Sequence, residues 1–201
     1  MKTLAVIVLA MASLCFTNTT NPLTDAEREA AIKEMTSTRD RLLNTMANLS
    51  EEQLTYKASE DSWSIADCTE HIAVSENMIF DMLLATLEIQ PDTAKRSEVN
   101  HSDEQILAMI SDRSNKVKTS KAFEPTGKYG SHEAALENFK TKRDQHIEFI
   151  KNTQEDLRNR YQQVPFGTLD AYQILLFIAA HTERHVQQIE EIIADPGFPT
   201  E

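Results

Sequence analysis

The sequence predicts an all-α protein, a four-helix bundle with one extra short helix. Of the 201 residues only 4 are glycine and 6 are proline, and this composition argues against a collagen-like, linker-rich or turn-dense all-β chain. Several long stretches repeat their apolar residues near the 3.6-residue period of a helix, and we find no alternating strand pattern. The length suits one domain with its own core, which we place at residues 22–198.

The beginning of the chain has the layout of a secretory signal peptide. Lys2 precedes an uncharged apolar stretch, residues 4–14, and no acidic residue occurs before Asp25. The stretch is shorter than the about 20 apolar residues of a transmembrane helix, and no later segment qualifies. We therefore expect a signal peptide over residues 1–19 and export to the periplasm or the medium.

Cleavage is expected after one of three residues that have a small residue two positions earlier: Cys15, Thr17 or Thr19. A lipoprotein anchored through Cys15 is the alternative, but Leu14 is bulkier than lipoprotein signals usually tolerate. The exported chain would keep one cysteine, Cys68, so no internal disulfide is available and the core must stabilise the fold.

The first two long helices are bounded by recognisable caps. Residues 25–49 are rich in helix formers, and Thr24 is a suitable N-cap. After a polar stretch, Ser64 with Asp67 three residues later marks the start of a helix that runs to about Gln90, before a proline.

The second half of the chain predicts a short helix and two long ones. Ser102 caps the short helix, which continues to about Lys118, and residues 122–131 form a loop. A long helix extends from His132 to about Tyr161. After the break at residues 164–168, the last helix begins at Leu169 or Asp170 and ends near Ala194.

The net charge argues against nucleic acid as a partner. Twenty Lys plus Arg residues against 32 Asp plus Glu give a net charge of −12, and no segment has the basic face that a phosphate backbone requires.

The histidines are the candidate chemical groups. His181 and His185 stand four apart on the last helix, so both rings lie on one face that also carries core isoleucines. Unpaired imidazoles in a core are costly, and a metal ion takes neutral imidazoles as ligands. His71 lies in another amphipathic helix that a bundle can bring alongside. The alternative is a chance HxxxH pair on an exposed face.

Other residues receive structural interpretations. We expect His101, His132 and His146 to be surface or capping residues, Trp63 to pack at a helix entrance, and Arg184 to form a structural ion pair. Cys68 is either a small buried apolar residue or close to the candidate metal site. Gln188 lies on the same helix face as His181 and His185 and could hydrogen-bond to one of them. The HExxH motif is absent, and the one Glu-x-x-His spacing, Glu98 with His101, lies outside any strong helix.

Two strings, WSIADCTEHI at residues 63–72 and GTLDAYQILLFIAAHTERHVQQIEEI at residues 167–192, resemble the DinB-like superfamily of metal-binding four-helix bundles. The segments DRSNKV, EPTG and ENFKTKRD resemble an exported branch of it. The resemblance implies one divalent metal, commonly zinc or nickel, bound by His71, His181 and His185, which match residue by residue. Because family members often form dimers, it also implies a homodimer.

Three neutral ligands leave an ion with its full positive charge, which suits a metal-dependent hydrolase or a thiol transferase acting on an unidentified small molecule. Export disfavours thiol transfer, because reduced thiols are scarce outside the cell. No catalytic residue is assigned; Asp67 is the nearest candidate base, but it is equally the cap partner of Ser64.

The competing class is a non-enzymatic binding or stress-response module that the metal stabilises. A fourth protein ligand would favour that module, and open positions would favour chemistry.

Overall fold

Four long helices form the bundle in a computed structural model that describes residues 22–200. They are α1 (Asp25–Thr45), α3 (Ile65–Leu87), α5 (His132–Asn152) and α6 (Ala171–Ile193). The shorter α2 (Glu51–Thr55) and α4 (Asp103–Ser111) lie between them, with 3₁₀ turns at Thr93–Glu98 and Lys121–Phe123. The four-helix architecture is therefore confirmed. The predicted signal peptide lies outside the described residues.

The helix starts follow from local capping chemistry. The side chains of Thr24, Ser64 and Ser102 each accept a hydrogen bond from the backbone N–H three residues later. The side chain at that later position in turn accepts a hydrogen bond from the backbone N–H of the capping residue. Asp170 caps α6 in the same reciprocal way with Gln173. Each of these pairs provides acceptors for two backbone N–H groups that have no partner within the helix.

The helix ends differ more from the sequence-based expectations. The α1 helix ends at Thr45 rather than near residue 49, α3 ends at Leu87 rather than near Gln90, and α4 ends at Ser111 instead of about Lys118. The largest difference is α5, which ends at Asn152, nine residues before Tyr161. Beyond it Thr153 adopts an extended conformation, and Leu157 in the following segment is fully buried.

The expectation of a bundle without strands was wrong. Strands β1 (Tyr161–Val164) and β2 (Gly167–Asp170) form an antiparallel hairpin immediately before α6. Gly167 has a φ of 139°, a conformation that glycine adopts without steric cost. Residues 168–170 of β2 are buried, so tertiary packing holds a pair of strands too short to be stable alone.

An arginine joins this hairpin to the helices. The Arg158 guanidinium donates to carboxylate oxygens of Glu27 on α1 at 2.7 Å, Asp103 on α4 at 2.6 Å and Asp170 at 3.1 Å. Because Arg158 is far from all but one of these residues in sequence, only the folded chain brings the four together.

Helix α6 is the central element, since it packs against α1, α3 and α4. Its first half, including Ile174 and Ile178, belongs to one apolar cluster, and its last turns, including Val186 and Ile189, belong to a second. The paired histidines of α6 lie between these two stretches. Among residues 22–200, no helix is both long enough and apolar enough to cross a membrane.

Candidate metal centre

Three histidines from two helices meet inside the bundle. One ring nitrogen from each of His71, His181 and His185 lies within 4.8 Å of the others, and the Nε2 atoms of His71 and His181 are 3.2 Å apart. The ring centroids are 4.3–5.0 Å apart. His71 and His185 are only 3% and 6% exposed, while His181 is half-buried. The structure thus brings together the three residues expected as ligands.

Hydrogen bonds on the outer side fix two of the rings. His71 Nδ1 is 2.7 Å from the carbonyl oxygen of Phe123, and His185 Nδ1 is 2.9 Å from Oε1 of Gln188. Because these oxygens only accept hydrogen bonds, each Nδ1 carries the proton and each Nε2 is left with a free lone pair. The support that the sequence suggested for Gln188 is present in the structure.

The surroundings keep all three imidazoles neutral. Burial lowers the pKa of His71, although its bond to the Phe123 carbonyl opposes the shift. Burial and the neighbouring rings lower the pKa of His181 well below its usual value. The pKa of His185 falls to about 3, first because of burial and then because a charged His71 would repel it. Neutral imidazole is the form that binds metal ions.

The donor set fits a divalent metal ion. Tetrahedral zinc binds imidazole nitrogens at about 2.0–2.1 Å, which places the nitrogens about 3.3 Å from each other, close to the 3.2 Å between His71 and His181. Among the described residues, the cluster contains no carboxylate and no thiol. Three neutral nitrogens with no fourth protein ligand match the ligand count of catalytic zinc sites rather than closed structural ones.

Two aromatic side chains flank the three histidines. The ring of Trp63 lies 4.9 Å from His71 and 6.2 Å from His185, and Phe177 meets His181 edge-to-face at 6.1 Å. Trp63 also packs against the apolar cluster, so the expectation of a packing residue holds but omits its contacts with the site. An apolar surround of this kind limits the access of water to the site.

Two arginines, one on each side, hold the segment that follows α4 against α6. Arg113 pairs with Glu191 at 2.6 Å and reaches Oε1 of Gln188 at 3.3 Å. Arg184, expected to form an ion pair, instead donates to the backbone carbonyls of Asp112 and Asn115. These contacts hold the segment close to the Gln188 side chain that supports His185.

Cys68 and Asp67 do not belong to the cluster. Cys68 is fully buried, and burial raises the pKa of its thiol, so it behaves as a small apolar side chain. Asp67 accepts the backbone N–H of Ser64 and pairs with Lys57 at 2.7 Å. These contacts make Asp67 a capping residue.

The expectation for His146 was wrong. The residue is 3% exposed, with Nδ1 2.7 Å from Oε1 of Glu76 and its ring stacked on Phe80 at 3.7 Å. Arg143, also fully buried, donates to both oxygens of Glu76 at 2.8 and 2.7 Å. The sequence contains a signal that could have shown this, since residues 139, 143, 146 and 150 recur at helical spacing on one apolar stripe.

The other two histidines remain apart from the cluster. His101 is half-buried, with Nε2 3.3 Å from the carbonyl of Phe166. His132 is the first residue of α5 and also half-buried. The structure assigns neither of them a ligand position.

Comparisons with known proteins agree with this architecture. A family model described as the DinB superfamily matches residues 34–189. The uncharacterized protein YuaE of Bacillus subtilis (strain 168) is 27% identical over 150 residues, which cover 74% of this chain and 88% of YuaE.

A solved structure has a similar fold. It is YfiT from Bacillus subtilis, described as "a probable metal-dependent hydrolase with an unusual four-helix bundle topology". The two structures superpose with a TM-score of 0.58 at 12% sequence identity, over 89% of this chain and 93% of YfiT. This similarity concerns the fold.

Proposed function

This chain belongs to the DinB superfamily, and we propose from that premise that it is an exported metalloenzyme. In this proposal His71, His181 and His185 bind one divalent ion, zinc or nickel, and the site hydrolyses a small molecule. The observation that carries the proposal is the meeting of three neutral imidazoles with no fourth protein ligand among the described residues.

The ion and the protein have separate roles in this proposal. A divalent ion with three neutral ligands would supply a Lewis acid and lower the pKa of a bound water. The Phe123 carbonyl and the Gln188 amide hold two of the imidazoles in the tautomer that presents Nε2. Trp63 and Phe177 shield the site with aromatic rings, and the half-buried His181 marks the side from which a small molecule would approach.

Hydrolysis is favoured over the two other functions considered. The description of YfiT as a probable metal-dependent hydrolase supports this reaction class. Thiol transfer is less suited to an exported protein, because reduced thiols are scarce in oxidising compartments. A non-enzymatic module stabilised by its ion would be expected to use a fourth protein ligand, such as Cys68, which does not lie in the cluster.

Metal analysis followed by a substrate screen tests the function. Protein purified without affinity metals should contain about one divalent ion per chain. After chelation, its activity toward esters, amides or phosphate esters should return on addition of zinc or nickel. His181→Ala should abolish metal binding and activity, whereas the matched control His101→Ala should keep both. Stoichiometric metal without metal-dependent hydrolysis would favour the non-enzymatic module, and activity only with added thiols would favour the transferase.

Export is a separate part of the proposal. It is supported by Lys2, the apolar residues 4–14 and the absence of acidic residues before Asp25. Mass spectrometry of the protein from the extracytoplasmic fraction should show a new N-terminus within residues 16–20. An intact Met1 would overturn export by cleavage, and a diacylglycerol on Cys15 would establish the lipoprotein alternative.

A further inference from the structure

Two consecutive residues of α3 hold the same loop. His71 donates from Nδ1 to the carbonyl of Phe123 at 2.7 Å. Its neighbour Glu70 accepts three backbone N–H groups of residues 126–128 on its carboxylate. The loop that supports a metal ligand is thus bound to the helix beside that ligand.

The Glu70 carboxylate is satisfied by the loop backbone alone. Its oxygens accept the N–H of Thr126 at 3.1 Å, of Gly127 at 3.0 Å and of Lys128 at 2.7 Å. Within residues 22–200 Glu70 forms no ion pair, so these three hydrogen bonds are what stabilises its carboxylate. Gly127 has a φ of 75°, which lets successive N–H groups converge on one anion. Hydrogen bonds to an ionised acceptor are roughly twice as strong as neutral ones.

The loop has few other polar contacts that would fix its position. In the described part of the chain, the backbone bonds of residues 120–130 close within the loop itself, from Phe123 to Ser120, from Glu124 to Lys121 and from Gly130 to Gly127. Phe123 and Tyr129 add apolar contacts with the two core clusters. The loop backbone is therefore attached to α3 through Glu70 and through the His71 bond itself. The side chain of Tyr129 adds a contact with Asn77 on the same helix.

We propose that Glu70 is a positioning residue for the metal centre, and this inference rests on the proposed function. By fixing residues 126–128, its carboxylate keeps the Phe123 carbonyl in place to receive the His71 Nδ1 proton. That bond orients the ring and leaves the Nε2 lone pair directed at the ion. Partners of metal-bound histidines typically contribute a factor of 10–100 to metal affinity, and Glu70 acts on one of them.

The test measures metal affinity and ligand geometry in Glu70→Ala and Glu70→Gln variants of the full chain. Cobalt(II) is the probe, because its visible absorption reports the coordination geometry, and zinc affinity follows from competition. Glu70→Ala should weaken cobalt affinity by about tenfold and alter the visible spectrum. Glu70→Gln should have a smaller effect, because its amide oxygen can still accept Thr126 and Lys128 while its NH₂ group opposes the N–H of Gly127.

The matched control is Asp67→Asn, which damages the N-cap of the same helix without touching the loop. It should lower the free energy of unfolding yet leave cobalt affinity and spectrum unchanged. Native affinity and spectrum in both Glu70 variants would overturn the positioning role while leaving the proposed metal site intact. Absence of cobalt binding by the unmodified chain would instead overturn the proposed function and this inference with it. If Glu70→Ala does not fold, Glu70→Gln decides between these outcomes.

Discussion

His146 lies against a carboxylate and a phenyl ring, whereas His71, His181 and His185 lie against one another. At His146 the hydrogen bond goes to Glu76, which also pairs with the buried Arg143. In the histidine cluster the outer nitrogens of two rings have partners, but free lone pairs converge on the interior. Both groups contain buried histidines, yet only the first pairs its histidine with a charged partner.

The partners of each group distinguish a structural histidine from a candidate ligand. Every member of the group around Arg143 has protein partners: its guanidinium also reaches the carbonyl of Met35 and the hydroxyls of Thr38 and Thr182. This group, which we call the buried ionic network (Glu76, Arg143 and His146), joins α1, α3, α5 and α6. The three clustered imidazoles instead direct ring nitrogens toward one another without a carboxylate among them, which is the arrangement expected of the proposed metal site.

The largest effect should come from breaking the buried ionic network. Glu76→Ala leaves the Arg143 charge buried without its partner, and removing one member of a buried pair typically costs about 3–5 kcal/mol. Urea denaturation of the metal-free protein measures this loss. The control Glu148→Ala removes an exposed ion pair between Glu148 and Lys151, both on α5, and should leave the free energy of unfolding nearly unchanged. Equal unfolding free energies for the two variants would contradict the structural role of the network.

Removing a ligand should affect metal binding more than the stability of the metal-free fold. His71→Ala leaves two imidazoles, and we expect metal affinity to fall at least about 100-fold, which corresponds to about 2.7 kcal/mol. Isothermal titration with zinc measures the affinity. The control His132→Ala should bind zinc as the unmodified chain does. Unchanged affinity in His71→Ala would leave the α6 pair alone as the site.

Acid should destabilise the metal-free protein through His185. Its folded pKa of about 3 is below the value of about 6.5 in unfolded chains. Between these pH values the unfolded state therefore binds a proton that the folded state does not bind. The contribution of His185 to the free energy of unfolding is complete above pH 6.5 and is lost as the pH falls toward 3. The slope is up to about 1.4 kcal/mol per pH unit. Unfolding curves from pH 7 to 5 should be less pH-dependent in His185→Ala, and an unchanged slope would contradict the shift.

The smallest effect should come from the outer support of His185. Gln188→Ala removes the acceptor of the Nδ1 proton, and we expect zinc affinity to fall about tenfold. Gln188→Glu keeps an acceptor oxygen at the same position and should restore most of the affinity. Equal affinities for the Ala variant and the unmodified chain would show that ring orientation depends on packing alone.

Much of the candidate site could be predicted from the sequence, because part of it is local. The i,i+4 spacing places His181 and His185 on one helix face whatever the rest of the chain does. Adding His71 required the expectation that two amphipathic helices meet, together with the DinB resemblance. The Phe123 carbonyl could not have been predicted, since a backbone oxygen has no sequence signature and its partner is 52 residues away.

The starts of α1, α3 and α4 and the apolar faces of the long helices follow from local sequence. The caps at Thr24, Ser64 and Ser102 and the 3.6-residue period depend on residues three or four apart, whose contacts lie within one helical turn. Three other features depend on tertiary packing: the end of α5 at Asn152, the hairpin before α6, and the inward orientation of His146 toward Glu76. These outcomes depend on partners distant in sequence, because burial and polar satisfaction are settled only when the helices pack.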